Sequence, residues 1–160
     1  MTSILQFLSA SEVETRRLGA ALGAGLNPGD VLCLVGDIGS GKTRLAQGIG
    51  EALAVDDILT SPTFSFINEY RGALLLMHAD LYRIEHEAEM ESLGLEEYFD
   101  GDWVCVIEWS DRAPRWMPAE RLDIAIQDMG GTGRIVRLDP HGMRYDQLCE
   151  VLRQSDVFGH

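Results

Sequence analysis

Lysine is almost absent from this 160-residue sequence: of 13 basic residues, 12 are arginines, and the one lysine is Lys42. Basic charge is scarce altogether, because 26 Asp and Glu against those 13 leave a formal net charge of −13. Nucleic-acid binding normally rests on Lys and Arg contacts to phosphates, so direct binding of RNA is not expected. Long apolar runs are missing too. None approaches the roughly 18 residues of a membrane span, and the start MTSILQFLSASEVET has no positive charge ahead of a hydrophobic stretch, so neither membrane insertion nor export is expected. Cysteine is limited to Cys33, Cys105 and Cys149, an odd number without C-x-x-C spacing, which argues against a disulfide framework or a zinc site and fits a reducing cytoplasm. Repeats, low-complexity tracts and Pro/Gly/Ser-rich linkers are also absent. With 46% apolar residues the chain has enough to build a core, so residues 1–160 are expected to form one domain.

The pattern that is present mixes helices and strands. Ser11 to Leu26 opens with Ser and an acidic turn and carries Leu18, Leu22 and Leu26 at four-residue spacing, which predicts an amphipathic helix ended by Asn27-Pro28-Gly29. Val31 to Val35 is an unbroken apolar run of the kind found in strands buried on both faces. A helix over about Lys42 to Leu53 follows a glycine-rich turn. Phe64 to Tyr70, Leu74 to Asp80 and Trp103 to Glu108 read as strands. Between the last two, residues 85–102 hold eight acids and no Lys or Arg, which predicts a helix with a solvated acidic face, a surface suited to a basic partner. Leu122, Ile124 and Ile126 alternate with polar neighbours, Ile135 to Leu138 follow a Gly-Gly-Thr-Gly turn, and Tyr145 to Arg153 reads as helix. The expected class is α/β: a P-loop NTPase-like mixed sheet flanked by helices, with antiparallel strands added.

Gly36-Asp37-Ile38-Gly39-Ser40-Gly41-Lys42-Thr43 matches G-x-x-x-x-G-K-[ST] without a gap. Glycines let the backbone curl so that successive N–H groups face phosphate oxygens, and the helix that follows presents its positive N-terminus to them. Lys42 is then expected to neutralise the β and γ phosphates of ATP, and Thr43 to offer its hydroxyl to Mg²⁺. The motif falls between a buried strand and a helix, which is the context it requires, and the only lysine of the chain fills its one lysine slot.

A second acidic ligand for Mg²⁺ is expected at the end of an apolar strand, and Val104-Cys105-Val106-Ile107-Glu108 has that form, with Glu in place of the commoner Asp. Asp80, which closes Leu74-Leu75-Leu76-Met77-His78-Ala79, is the competing carboxylate, and the pair can divide the work between metal and water. Thr63, in Ser61-Pro62-Thr63-Phe64, stands where many P-loop NTPases carry a switch segment, although Ser-Pro-Thr is equally a common turn. His78 reads either as a base or, more commonly for a lone His in an apolar strand, as a hydrogen-bonded core residue. Trp109 is open between stacking on a ligand and ordinary packing.

Taken together, the P-loop, Ser61-Pro62-Thr63-Phe64, His78-Ala79-Asp80-Leu81-Tyr82-Arg83 and Ile107-Glu108-Trp109 resemble the bacterial tRNA N6-threonylcarbamoyladenosine biosynthesis ATPase family, TsaE or YjeE. Leu93-Gly94 and Tyr98-Phe99 between the last two motifs add to the likeness, which covers nearly the whole chain. The resemblance implies a cytoplasmic ATPase that works with the TsaB and TsaD partners in forming threonylcarbamoyladenosine on tRNA, with low activity until it docks. The resemblance further implies that TsaD is the transferase of that system and that the partners hold the RNA. By position, the resemblance implies that Lys42 and Thr43 bind phosphate and Mg²⁺, Glu108 is the second metal ligand, Asp80 serves hydrolysis, Thr63 is a switch residue, and Glu12 and Arg134 lie near the nucleotide. The chain departs from the pattern at Arg44, where a small hydroxyl residue is common, and at Ser110, where proline is common.

Two other functional classes fit a P-loop. A small-molecule kinase of this size needs an arginine-bearing lid, for which Arg112 and Arg115 are the candidates. A nucleotide-gated binding module needs only a segment, such as that around Thr63, whose order follows the nucleotide. GTP is the less expected nucleotide because no N-K-x-D motif is present.

Overall fold

The structure, a computed structural model, describes residues 4–62 and 65–158. Its strands are β1 (Leu5–Ser9), β2 (Val31–Gly36), β3 (Ile67–Arg71), β4 (Leu75–Asp80), β5 (Trp103–Glu108), β6 (Arg121–Asp128) and β7 (Arg134–His141). They form one sheet in the order β1-β7-β6-β2-β5-β4-β3. Ladders among β6, β2, β5 and β4 are parallel, while β3, β7 and β1 are joined by antiparallel ladders. The expected mixed α/β sheet is therefore what the chain forms. Among the described residues no helix is long and apolar enough to cross a membrane.

Burial on both faces explains the apolar runs of β2 and β5. Alternate side chains leave opposite sides of a strand. Leu32, Leu34, Val104 and Val106 pack on one side with α1 (Glu12–Ala24), α2 (Lys42–Ala52) and α5 (Met143–Arg153). Val31, Cys33, Cys105 and Ile107 face the other, against Met90 of α3 (Ala88–Glu91) and Leu95 of α4 (Leu95–Phe99). The acidic stretch, expected to include a helix, folds as two short ones. Gly94, at φ +67°, turns the chain between them, and burial of little more than Met90 and Leu95 cannot hold a longer helix. Its acids are solvated as expected: all but Glu87 are exposed, and Glu87 pairs with Arg115 at 2.5 Å.

Strand β1 was not expected from the sequence. Burial alternates along it, with Leu5 and Phe7 inward, but the outward Leu8 is apolar and 69% exposed, so the five-residue sequence pattern is weak and only pairing with β7 defines the strand. Ser11 caps α1 by accepting the Glu14 N–H at 3.2 Å, while the Glu14 carboxylate accepts the Ala10 N–H at 2.5 Å, a close relative of the capping box. Helices α1 and α2 then meet backbone to backbone. A Cβ added at Gly48 would stand 2.0 Å from the Arg16 carbonyl oxygen, so glycine is needed for the approach. This contact fixes the start of α2, and with it the glycine loop, relative to the rest of the fold.

Candidate functional site

The carboxyl ends of β2, β4 and β5 and the start of α2 surround a cavity of about 450 Å³. In open α/β sheets such crevices beyond the strand ends are where ligands bind. Gly41 ends the loop at φ +110°, a conformation strained for any side chain, and caps α2 with no side-chain acceptor. The N-terminus of α2 is therefore uncapped and carries the positive end of the helix dipole. Lys42 lies beside it, only 5% exposed. Its Nζ donates to the carbonyls of Gly36 at 2.5 Å and Asp37 at 2.8 Å, reaches Ser40 Oγ at 3.4 Å, and stands 4.3 Å from the centre of the Trp109 ring. Burial pulls the ammonium below its ordinary pKa, and Glu108 and Asp80 work against that fall.

Asp80 and Glu108 are register partners on adjacent parallel strands, so both carboxylates reach the same cavity. Asp80 Oδ1 accepts the Tyr82 N–H at 2.9 Å. Burial lifts the Asp80 carboxyl above the usual range; the Tyr82 N–H opposes this, and the Glu108 charge adds to it. Glu108 is 2% exposed. Thr43 Oγ1 donates to Glu108 Oε1 at 3.3 Å, and His78 Nε2 lies 2.5 Å from Oε2. Ser61 Oγ is 3.3 Å from Thr43 Oγ1, so the Ser-Pro segment reaches the site through Ser61. Thr63 itself lies outside the described residues. Among these groups, the Thr43 hydroxyl and the Glu108 and Asp80 carboxylates are the hard oxygen donors that suit Mg²⁺.

The remaining sequence candidates distribute around this centre. Ile38 and Gly39 form the exposed crest of the loop. Glu12 lies at the rim in an ion pair with Arg44 at 3.3 Å, so the position where the chain departs from the family pattern is part of the cavity wall. Arg134 reaches back from β7 to the carbonyls of Ser40 at 2.8 Å and Gly39 at 3.1 Å, and lines an adjoining cavity of about 460 Å³ together with Glu12, Ser40 and Gly41. Trp109 packs against Tyr82 with ring centres 5.0 Å apart, and Arg112 lies over both rings. Sequence reasoning overlooked Tyr82 and the tie between His78 and Glu108. A signal existed for His78: it stands two residues before Asp80 in one strand and therefore shares its face.

A mixed sheet whose central parallel strand runs through a glycine loop into an uncapped helix, with carboxylates ending two neighbouring strands, defines the P-loop class of α/β proteins. Comparison with known proteins narrows the class. The model of the family described as threonylcarbamoyl adenosine biosynthesis protein TsaE matches residues 9–136. The tRNA threonylcarbamoyladenosine biosynthesis protein TsaE of Bacillus subtilis strain 168 is 42% identical over 153 residues, 95% of this chain and 96% of that protein. The protein of the same name from Treponema pallidum strain Nichols is 32% identical over 130 residues, 81% of this chain and 96% of that protein. A crystal structure of Bacillus subtilis YdiB superposes with a TM-score of 0.83 at 38% identity, covering 98% of each chain. The chain belongs to the TsaE family.

Proposed function

We propose that this chain is the Mg²⁺-dependent ATPase of tRNA threonylcarbamoyladenosine formation, acting in the cytoplasm with a TsaB–TsaD-type complex that holds the tRNA. The observation that carries this reading is convergence: the uncapped start of α2, the buried Lys42 and the Thr43–Glu108 pair open into one cavity. The relatives named for threonylcarbamoyladenosine biosynthesis supply the pathway.

In this reading the loop and helix amides and Lys42 hold the phosphates, Lys42 exchanging the Gly36 and Asp37 carbonyls for phosphate oxygens. The chemistry that Mg²⁺ would supply when bound is charge neutralisation on the phosphates. Thr43 and Glu108, already in contact with each other, would hold the cation. Asp80, a register neighbour of Glu108 with one oxygen already fixed by the Tyr82 N–H, accepts a hydrogen bond from the attacking water through its other oxygen and so aims it. Glu12 and Arg134 flank the loop where the rest of the nucleotide extends. Catalysis is chiefly positioning and charge stabilisation, which is what a docking partner can complete.

The test is phosphate release and tRNA modification in a mixture of purified chain, partner complex, tRNA and substrates. Lys42→Ala and Glu108→Ala should each lower turnover by about 100-fold or more. Wild-type rates in those variants would overturn the proposal, as would fast phosphate transfer to a metabolite. A lid for such transfer is not favoured by Arg115, which bonds Glu87.

A further inference from the structure

His78 contributes nothing to the cavity wall, yet it is wholly buried and its imidazole lies 2.5 Å from one oxygen of the site carboxylate. Its Nδ1 is also buried and has no hydrogen-bond partner among the described residues. A proton on Nδ1 would strand a donor in the core, at a cost of about 1–3 kcal/mol, so the proton resides on Nε2 and is donated to Glu108 Oε2. The opposite oxygen, Oε1, accepts from Thr43 at 3.3 Å. The carboxylate is thus clamped from both ends, between strand β4, which is paired on both sides by β5 and β3, and the first turn of α2.

Resting on the proposed function above, we infer that His78 is a positioning residue that commits Glu108 to presenting one oxygen, Oε1, to the cation beside Thr43. Two-oxygen coordination needs both oxygens turned toward the same ion, and the imidazole behind Oε2 prevents that rotation. The clamp also stabilises a carboxylate that is almost wholly buried and, among the described residues, has no second donor on Oε2. His78 takes no proton from substrate; it acts only through Glu108.

Leucine matches the bulk of His78 and cannot donate, whereas the glutamine amide places an N–H where Nε2 stood. Binding of a fluorescent, non-hydrolysable ATP analogue is measured with and without Mg²⁺, alongside circular dichroism and thermal unfolding. In His78→Leu the Mg²⁺ concentration at half-effect should rise by about 10- to 100-fold. Affinity without Mg²⁺ should stay within about twofold, and His78→Gln should recover most of the loss, since only the N–H donor is at stake. A folded His78→Leu protein with the wild-type Mg²⁺ response overturns the inference. If that variant does not fold, ¹⁵N NMR of the wild-type imidazole decides: a protonated Nε2 with bare Nδ1 supports the clamp, and a protonated Nδ1 removes it. Absence of Mg²⁺-dependent nucleotide binding in the wild-type protein would instead sink the proposed function, an outcome read before any variant is made.

Discussion

Arg134 donates from Nε to the carbonyl oxygen of Ser40 at 2.8 Å, joining residues 94 positions apart in the chain. The same guanidinium bonds Gly39, Gly131 and Gly133 carbonyls and Asp128, so one side chain braces the glycine loop against the turn between β6 and β7. Only a planar fork with several N–H groups can span that set.

Arg134→Ala should therefore loosen the loop as well as the fold. The expected loss is about 1–3 kcal/mol in urea unfolding, because several loop carbonyls lose a charged donor. Nucleotide affinity should fall with it, and Arg134→Lys should restore only part of either. Unchanged urea midpoint and affinity in Arg134→Ala would show that the brace is idle.

At Gly48 two effects compete with opposite signs. Alanine in a helix interior is intrinsically better than glycine by about 0.5–1 kcal/mol. Here its Cβ would stand 2.0 Å from backbone of α1, and forcing the helices apart should cost about 1–3 kcal/mol or more. Denaturant titration of Gly48→Ala should show net destabilisation. Gly133→Ala, whose Cβ would find nothing nearer than 3.6 Å, should stay within about 0.5 kcal/mol of wild type.

Asp80 links stability to pH. Its carboxyl is lifted by burial above the unfolded value of 3.8, so the folded chain holds that proton more tightly than the unfolded chain. Stability from this group is fully present below the unfolded pKa and is lost as pH rises through the folded one. Asp80→Asn, measured without divalent cations, should accordingly melt higher than wild type near neutrality, and the difference should vanish below about pH 4. Hydrolysis should fall in the same variant. A lower melting temperature at neutral pH would contradict the assigned burial cost.

All three cysteines are buried, and burial pushes their thiols up, to about 12 for Cys33 and Cys105 and about 11 for Cys149. Thiolate, the reactive form, is scarce at neutral pH. Ellman's reagent should label less than one thiol per native chain within minutes and all three in guanidinium. Rapid labelling of the folded protein would show that β2, β5 or α5 opens.

Legibility followed the range of the forces involved. Strand β5 has the bounds expected of it, Trp103–Glu108, because a centre strand buried on both faces needs an apolar run and ends where the run ends. Helix α1 was readable from Leu18, Leu22 and the Ser11 cap, all local signals. Strand β1 was not, since its pattern is short and its partner, β7, is more than a hundred residues away. The acidic stretch was legible as including a helix with a solvated face because charge was visible; its division into two short helices was not, because the scarcity of buried positions shows only in the fold.

The sequence by itself determined the glycine loop, its lysine and the helix that follows, because the conformation of Gly36–Thr43 is set by backbone freedom within eight consecutive residues. It also determined that an acid closes each of two apolar strands. Which strands lie side by side was decided by the tertiary structure alone. Pairing of β4 with β5 sets Asp80 opposite Glu108 and buries His78 against Glu108, and the return of β7 carries Arg134 to Ser40. Those contacts join residues far apart in the chain, and only burial of the whole sheet between its helices provides the free energy that holds them in register.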